Sequence, residues 1–150
     1  MRRGLIRIVM TTADRVRRLW WRLGGRPGDG VRAIVLTPEN RIVLVRQTYT
    51  QGWLLPAGGK KRGEPLEAAI VRELREEIGF HGGTVVQIEA RKATLGRRPH
   101  HLTTFVVRDA VYSPRPNLEI EEVAEFPIDA PPPDLGSSSR DALKLLLSMR

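Results

Sequence analysis

Residues 58 to 80 constrain this chain more than any other stretch. A loop with three glycines and three basic residues, Gly58-Gly59-Lys60-Lys61-Arg62-Gly63, runs into a segment that ends Arg72-Glu73-Leu74-Arg75-Glu76-Glu77-Ile78-Gly79-Phe80. The pattern predicts a helix from about Pro65 to Ile78. Pro65 suits the first helical position, where a missing N–H is not needed, Glu67 complements the positive helix start, and Gly79 suits a left-handed cap. At about 100° per residue, Glu76 and Glu77 fall at about −60° and +40° from Glu73, so three carboxylates share one face. Ile70, Val71, Leu74 and Ile78 lie at about 60° to 160° on the same wheel, the side expected to pack into a core.

Like charges on an exposed helix are ordinarily relieved by Lys at i+4. Here the residue four after Glu73 is Glu77, and four after Glu76 is Phe80. Carboxylates placed against a sheet have raised pKa values unless paired, and a divalent cation supplies the missing charge. Hard oxygen ligands suit Mg²⁺ or Mn²⁺, which keep several waters and complete their shell with phosphate oxygens. The plainer alternative is a solvated acidic face with Arg72 and Arg75 as local partners. That alternative leaves the preceding loop unexplained, because glycines let the backbone approach a ligand while Lys60, Lys61 and Arg62 add positive charge for phosphate.

The rest of the composition bounds the answer. A chain of 150 residues is one domain with an ordinary core. It has no Cys, which excludes a disulfide framework, a thiolate metal site and a cysteine nucleophile, and its three His leave little for a histidine-rich metal site. No apolar run approaches the ~20 residues of a membrane span, and Arg7 interrupts the N-terminal stretch that imitates a signal peptide. The expected location is the cytoplasm.

Of the formal net charge of +8, residues 1 to 29 carry +6, with eight Arg against Asp14 and Asp29. In Thr12 to Leu23 the apolar Val16, Leu19, Trp20 and Leu23 recur at helical spacing among Arg15, Arg17, Arg18 and Arg22, which predicts a basic amphipathic helix. Gly24, Gly25, Pro27, Gly28 and Gly30 then end it in a linker. Such a helix packs on the domain, lies against a membrane surface or a partner, or meets a phosphate-rich nucleic acid such as RNA. The sequence leaves these open.

Val31 to Leu36 and Ile42 to Val45 read as strands joined by a turn at Thr37-Pro38-Glu39-Asn40. Their mostly continuous apolar character fits a sheet covered on both faces. Further strands are expected at Thr84 to Ala90, Leu102 to Val107 and Val123 to Ile128. A last helix is expected from Ser138 or Ser139 to Met149, after a loop containing Pro131, Pro132 and Pro133. This order suggests an α/β fold with a sheet sandwiched between helices.

Gly58, five residues, Glu64, seven residues, then Arg72-Glu73-Leu74 with Glu76-Glu77, Gly79 and Phe80 resembles the signature box of the Nudix hydrolases, with every fixed position filled. The surroundings are similar too: Gly30-Val31-Arg32-Ala33, Leu44-Val45-Arg46, Gly52-Trp53-Leu54-Leu55-Pro56, and Glu119-Ile120-Glu121-Glu122 before Phe126. The resemblance implies an α/β/α sandwich with a mixed β-sheet over residues 30–150, behind an extension of residues 1–29. It also implies metal-dependent hydrolysis of a phosphoanhydride bond in a nucleoside diphosphate-linked substrate.

Carried over by position, Glu73, Glu76 and Glu77 are the implied metal ligands, Gly58 adds its carbonyl, and Arg72 orients the carboxylates. Glu64 is implied to support the loop and helix. Glu73 is a candidate for the proton acceptor, and Glu119 or Glu122 for a further ligand or base. Gly59, Lys60, Lys61 and Arg62 are candidates for substrate binding. Lys61 stands where relatives often carry Glu, and Ala57 where they often carry Gly. His100 and His101 precede an expected strand where relatives often carry an Asp-His pair; His101 is a candidate substrate contact or a solvated turn residue. Trp53 is a candidate for stacking a base or for the core. The competing functions are a non-catalytic ligand-binding or regulatory domain and a 5′-end RNA pyrophosphohydrolase. A prenyl diphosphate isomerase on this fold is disfavoured by the lack of Cys.

Overall fold

The computed structural model describes residues 29–48, 50–95, 98–115 and 117–150; the expected helix at Thr12 to Leu23 and its linker lie outside them. Six strands and two helices follow in the order β1 (Gly30–Leu36), β2 (Arg41–Gln47), β3 (Ala57–Gly59), α1 (Leu66–Ile78), β4 (Phe80–Leu95), β5 (Arg98–Tyr112), β6 (Ile120–Pro127) and α2 (Ser137–Ser148). The sheet runs β4-β5-β1-β2-β6, with β3 paired to β1 off that path. Among the described strands β1 and β5 pair parallel and the other ladders are antiparallel, so the sheet is mixed.

The continuous apolar runs of β1 and β2 have the expected cause, since their alternate residues enter two different cores. Val31, Ala33, Val35, Val43 and Val45 pack with Ala69, Ile70, Leu74 and Ile78 of α1. Ile34, Leu36, Ile42 and Leu44 pack on the other face with Ala142, Leu143 and Leu146 of α2. The turn between these strands closes through the Asn40 N–H on the Thr37 carbonyl at 2.8 Å, with Asn40 in the left-handed region at φ 61°. No helix among the described residues is long and apolar enough to cross a membrane.

One local feature positions everything that follows. β1 and β2 pair only at their shared turn, through Val35–Val43 and Leu36–Ile42. The chain from Leu54 to Gly59 wedges into the fork they leave, exchanging both backbone bonds between Leu54 and Val45 at 2.9 Å and bonding the Ala33 N–H to the Pro56 carbonyl at 3.0 Å. Its last three residues become β3, opposite Gly30, Val31 and Arg32. Gly58 and Gly59 were expected in the loop that runs to Gly63, and they lie instead in this strand. β4 and β5 also run well beyond Thr84 to Ala90 and Leu102 to Val107, so His100 and His101 lie within β5 and not ahead of it. Pro65 occupies the helix cap at φ −61°, ψ 145°, one position before the one expected.

Candidate active site

The wedge brings Gly58 against the middle of α1. A methyl group built on Gly58 would overlap the Glu73 carboxylate, so only glycine allows this approach. At the far end of the helix Gly79 takes the left-handed cap at φ 67° and its N–H returns to the Arg75 carbonyl at 3.2 Å. There too a methyl group would meet backbone, the carbonyl of Ser113.

Arg72 ties loop to helix. Its Nε and Nη2 donate to the two oxygens of Glu64 at 2.9 Å each, Nη2 also donates to the Gly59 carbonyl at 2.8 Å, and Nη1 donates to Glu73 at 2.9 Å. Glu76 lies 3.7 Å from the same Nη1. This planar fork makes bidentate contact that a lysine has no means to reproduce. Bonds from Arg72 and from the Lys61 N–H, the latter at 3.0 Å, hold the Glu64 carboxyl down at about 2. The bond to Glu64 likewise pushes Arg72 above the ordinary arginine range. Glu64 thus supports the geometry of the loop, as its fixed place in the motif implied.

The three glutamates that share one face of the wheel have unlike environments. Glu76 is more than half exposed, with 57% of its side chain open, whereas Glu73 is mostly covered and Glu77 is buried at 5%. Glu77 accepts one hydrogen bond, from the Ala57 N–H at 3.2 Å. Burial pushes its pKa well above the usual carboxylate range, and the neighbouring charges of Glu73, Glu119 and Glu76 push the same way. Glu119, in the connection before β6, therefore stands close enough to belong to this acidic group. Glu122 does not approach it in the same way: it lies 3.8 Å from Arg46, on the α2 side of the sheet.

The other expected residues fall in two places. The Lys60 N–H bonds the Asp29 carbonyl at 2.8 Å, and the Asp29 carboxylate receives the His101 N–H at 3.3 Å, so Asp29 anchors the backbones of both. Lys61 and Arg62 are exposed beside them. Trp53 instead lies in the α2-side core at 5% exposure, edge-on to Phe126 with centroids 5.0 Å apart and capped by the Arg46 guanidinium at 4.6 Å. Among the described residues no group of three or more acidic or His side chains converges closely enough to chelate a metal unaided. Sequence reasoning passed over Arg32, a buried cation on β1.

A family model for the NUDIX domain matches residues 26–146. The chain belongs to the NUDIX domain family. It is 41% identical over 80 residues to an RNA pyrophosphohydrolase of Sphingopyxis alaskensis, a match covering 51% of this chain and 49% of that protein. The chain spans about half or less of the length of the curated relatives it matches. Its fold is similar to that of a MutT NUDIX hydrolase from Burkholderia pseudomallei, with a TM-score of 0.67, 23% identity, and coverage of 79% of this chain and 97% of that one. It is also similar to the E. coli ORF135 protein, with a TM-score of 0.65, 23% identity, and coverage of 81% and 89%.

Proposed function

We propose that this site hydrolyses a phosphoanhydride bond of a nucleotide-linked substrate with a divalent cation, Mg²⁺ or Mn²⁺. The observation that carries this reading is Glu77, a buried carboxylate that faces other carboxylates and has one backbone N–H as its hydrogen-bond donor. A structural glutamate at such a place would have a cationic partner; among the described residues no cation pairs with this one. The donor set is all hard oxygen, and Mg²⁺ is ordinarily held by one or two carboxylates, waters and substrate phosphates instead of a closed protein cage.

Glu73, Glu76 and Glu77 would hold the ion, with the Gly58 carbonyl and Glu119 as further oxygens. When bound, the cation would supply charge neutralisation for the diphosphate and acidify water for attack on phosphorus. Arg72 fixes the Glu73 carboxylate beside the loop, which places Glu73 to receive the proton of the attacking water. Lys60, Lys61 and Arg62 bind the anionic end of the substrate from the loop, and His101 stands beside Lys60 to contact it.

The RNA pyrophosphohydrolase relatives and the basic loop favour 5′-triphosphate RNA among the substrates to be tried. The deciding experiment is a hydrolysis screen over nucleoside triphosphates, sugar nucleotides, dinucleotides and 5′-triphosphate RNA, with Mg²⁺ and with Mn²⁺, read by product mass. Cleavage at a phosphoanhydride, lost in Glu76→Gln/Glu77→Gln protein that circular dichroism shows to be folded, supports the proposal. Full activity in that double variant refutes it.

A further inference from the structure

The acidic group on α1 draws one member from far along the chain, Glu119, and several bonds fix where that residue stands. β2 and β6 pair regularly from Arg41–Pro127 to Arg46–Glu122, after which Gln47 faces Ile120 and Glu121 is left opposite no residue. A bulge of this kind changes which face of the sheet the following side chains meet. Strict alternation from Val123, which packs on the α1-side core, would send Ile120 to the α2 side. Instead Ile120 is buried in the same core as Ile70 and Leu74 of α1. The bulge thereby brings the chain at Glu119 alongside the helix that carries Glu73, Glu76 and Glu77.

Bonds from two sides hold that backbone. Asn117 Oδ1 accepts the Glu119 N–H at 3.0 Å and the Ile120 N–H at 2.7 Å. From β2, the Thr48 N–H donates to the Glu119 carbonyl at 3.0 Å. The Thr48 hydroxyl donates to the Leu118 carbonyl at 3.0 Å and approaches the Glu119 carbonyl at 3.4 Å. Both polar backbone groups of Glu119 are thus taken, whereas among the described residues no donor or cation is bonded to its carboxylate. Its charge instead bears on Glu77 and helps to push that carboxyl up.

A connection this open, with Leu118 58% exposed, can satisfy its carbonyl groups from water. What Thr48 and Asn117 add is fixed geometry, and a carboxylate that serves a cation has to be held to within about half an ångström. Earlier on the same strand, Val45 exchanges both backbone bonds with Leu54 of the wedge, which presents Ala57 to Glu77 and Gly58 to Glu73. The end of β2 and the residue after it therefore anchor both segments that converge on the α1 glutamates. We propose that Thr48 and Asn117 are positioning residues, which together fix the Leu118–Glu119 backbone so that the Glu119 carboxylate reaches the divalent cation held by Glu73, Glu76 and Glu77. This rests on the cation proposed above and goes further by naming the residues that complete its shell from outside the helix.

The test is binding of Mn²⁺ alone to the full chain, without substrate, followed by the electron paramagnetic resonance signal of the free ion. Thr48→Val is nearly isosteric and keeps the backbone bond while losing both hydroxyl contacts. It is expected to weaken Mn²⁺ binding about fivefold, the effect of one hydrogen bond of ordinary strength. Thr48→Ser keeps the hydroxyl and is expected to stay within about twofold of wild type. Asn117→Ala should act like Thr48→Val, and it keeps the inference open to refutation if Thr48→Val disturbs the fold. In Glu119→Gln protein, where Mn²⁺ is already held less tightly, adding Thr48→Val should weaken it no further, because a positioning residue acts only through the group it positions. Unchanged affinity in Thr48→Val or Asn117→Ala protein that circular dichroism shows to be folded, or an equal loss with and without the Glu119 carboxylate, overturns the inference and leaves the hydrolase reading standing. Failure of the wild type to bind Mn²⁺ at millimolar concentration overturns the cation reading and this inference with it.

Discussion

Glu77→Gln in the metal-free protein turns the unmet charge of Glu77 into a measurable stability. The substitution is isosteric, and the amide oxygen can still accept the Ala57 N–H. In the wild type an ionised Glu77 is opposed by burial and by Glu73, Glu119 and Glu76. Its penalty has a ceiling, because the carboxyl can protonate instead. From the ordinary value of 4.5, holding the proton at pH 7 costs about 3 kcal/mol, at about 1.4 kcal/mol per pH unit. Exchanging a charge-assisted hydrogen bond for a neutral one gives back about 1 kcal/mol. Glu77→Gln should therefore stabilise the metal-free protein by about 2 kcal/mol at pH 7, roughly 8 °C in Tm for a domain of this size.

The sign with pH follows from proton linkage. Because the folded pKa of Glu77 lies above that of the unfolded chain, the folded state keeps its proton to higher pH, so wild-type stability falls as pH rises above 4.5 through the raised folded pKa. The advantage of the variant should therefore grow from about pH 4.5 towards neutrality and be smallest below it. With Mg²⁺ at about 100 times its dissociation constant, wild type should recover about 2.7 kcal/mol, and the variant much less. Urea denaturation from pH 4 to 8, with and without 5 mM Mg²⁺, checks both arms. A variant less stable than wild type at every pH, or one with an undiminished Mg²⁺ response, would show that Glu77 is a structural residue whose charge is already balanced.

Gly58→Ala should keep the melting temperature within a few degrees but lower kcat by about 100-fold, because the new methyl group displaces Glu73 by about an ångström; unchanged kcat would place Glu73 outside the chemistry. Glu64, held at about 2 by Arg72 and Lys61, contributes stability above its ordinary 4.5 that is lost as pH falls from there towards 2. The urea midpoint of Glu64→Gln should accordingly vary less than wild type across that window, and parallel curves would refute the assignment. Removing residues 1–28, with their eight Arg, should leave hydrolysis of small nucleotides intact, since every candidate site residue lies beyond Val31. The same truncation should weaken action on RNA at low salt, with the difference fading as ionic strength rises; loss of activity on small substrates in folded protein would make the extension part of the site.

The helix and its acidic face were legible because their causes are local. The apolar spacing of Ile70, Leu74 and Ile78 and the cap at Gly79 act within a few turns. The sheet between two helices was legible from the order of the elements and the continuous apolar runs, and its mixed character from the resemblance to the Nudix hydrolases. β3 was not, because Ala57-Gly58-Gly59 becomes a strand only through partners on β1 that the wedge at Leu54 to Gly59 supplies. The outer reaches of β4 and β5 were missed for a related reason. Arg91-Lys92-Ala93-Thr94 offers no burial pattern, and its extended form is set by the ladder opposite Pro99 to Leu102.

Arg32 marks where reading along the chain fails beside the site, in the ladder next to Ala57. Within Val31 to Leu36 it looks like one polar residue in an apolar strand, to be expected at an edge where its side chain reaches water. What makes it unusual is supplied from 72 and 106 residues away, by the Thr104 hydroxyl and by Ser138 at the start of α2. The neighbouring Ser139 fixes that helix start in turn, accepting the Leu55 N–H at 3.1 Å. The serines that read only as a helix beginning thus lock one face of the wedge, while Arg72 locks its other end to α1. Gly58 and Arg32 are held by the same short segment from opposite sides of the sheet, so a shift of Leu54 to Gly59 would move the acidic group and the guanidinium together. Ser139→Ala, whose hydroxyl bonds the Leu55 N–H and no charged group, should therefore raise KM and lower kcat in parallel, where a purely structural role would change stability alone.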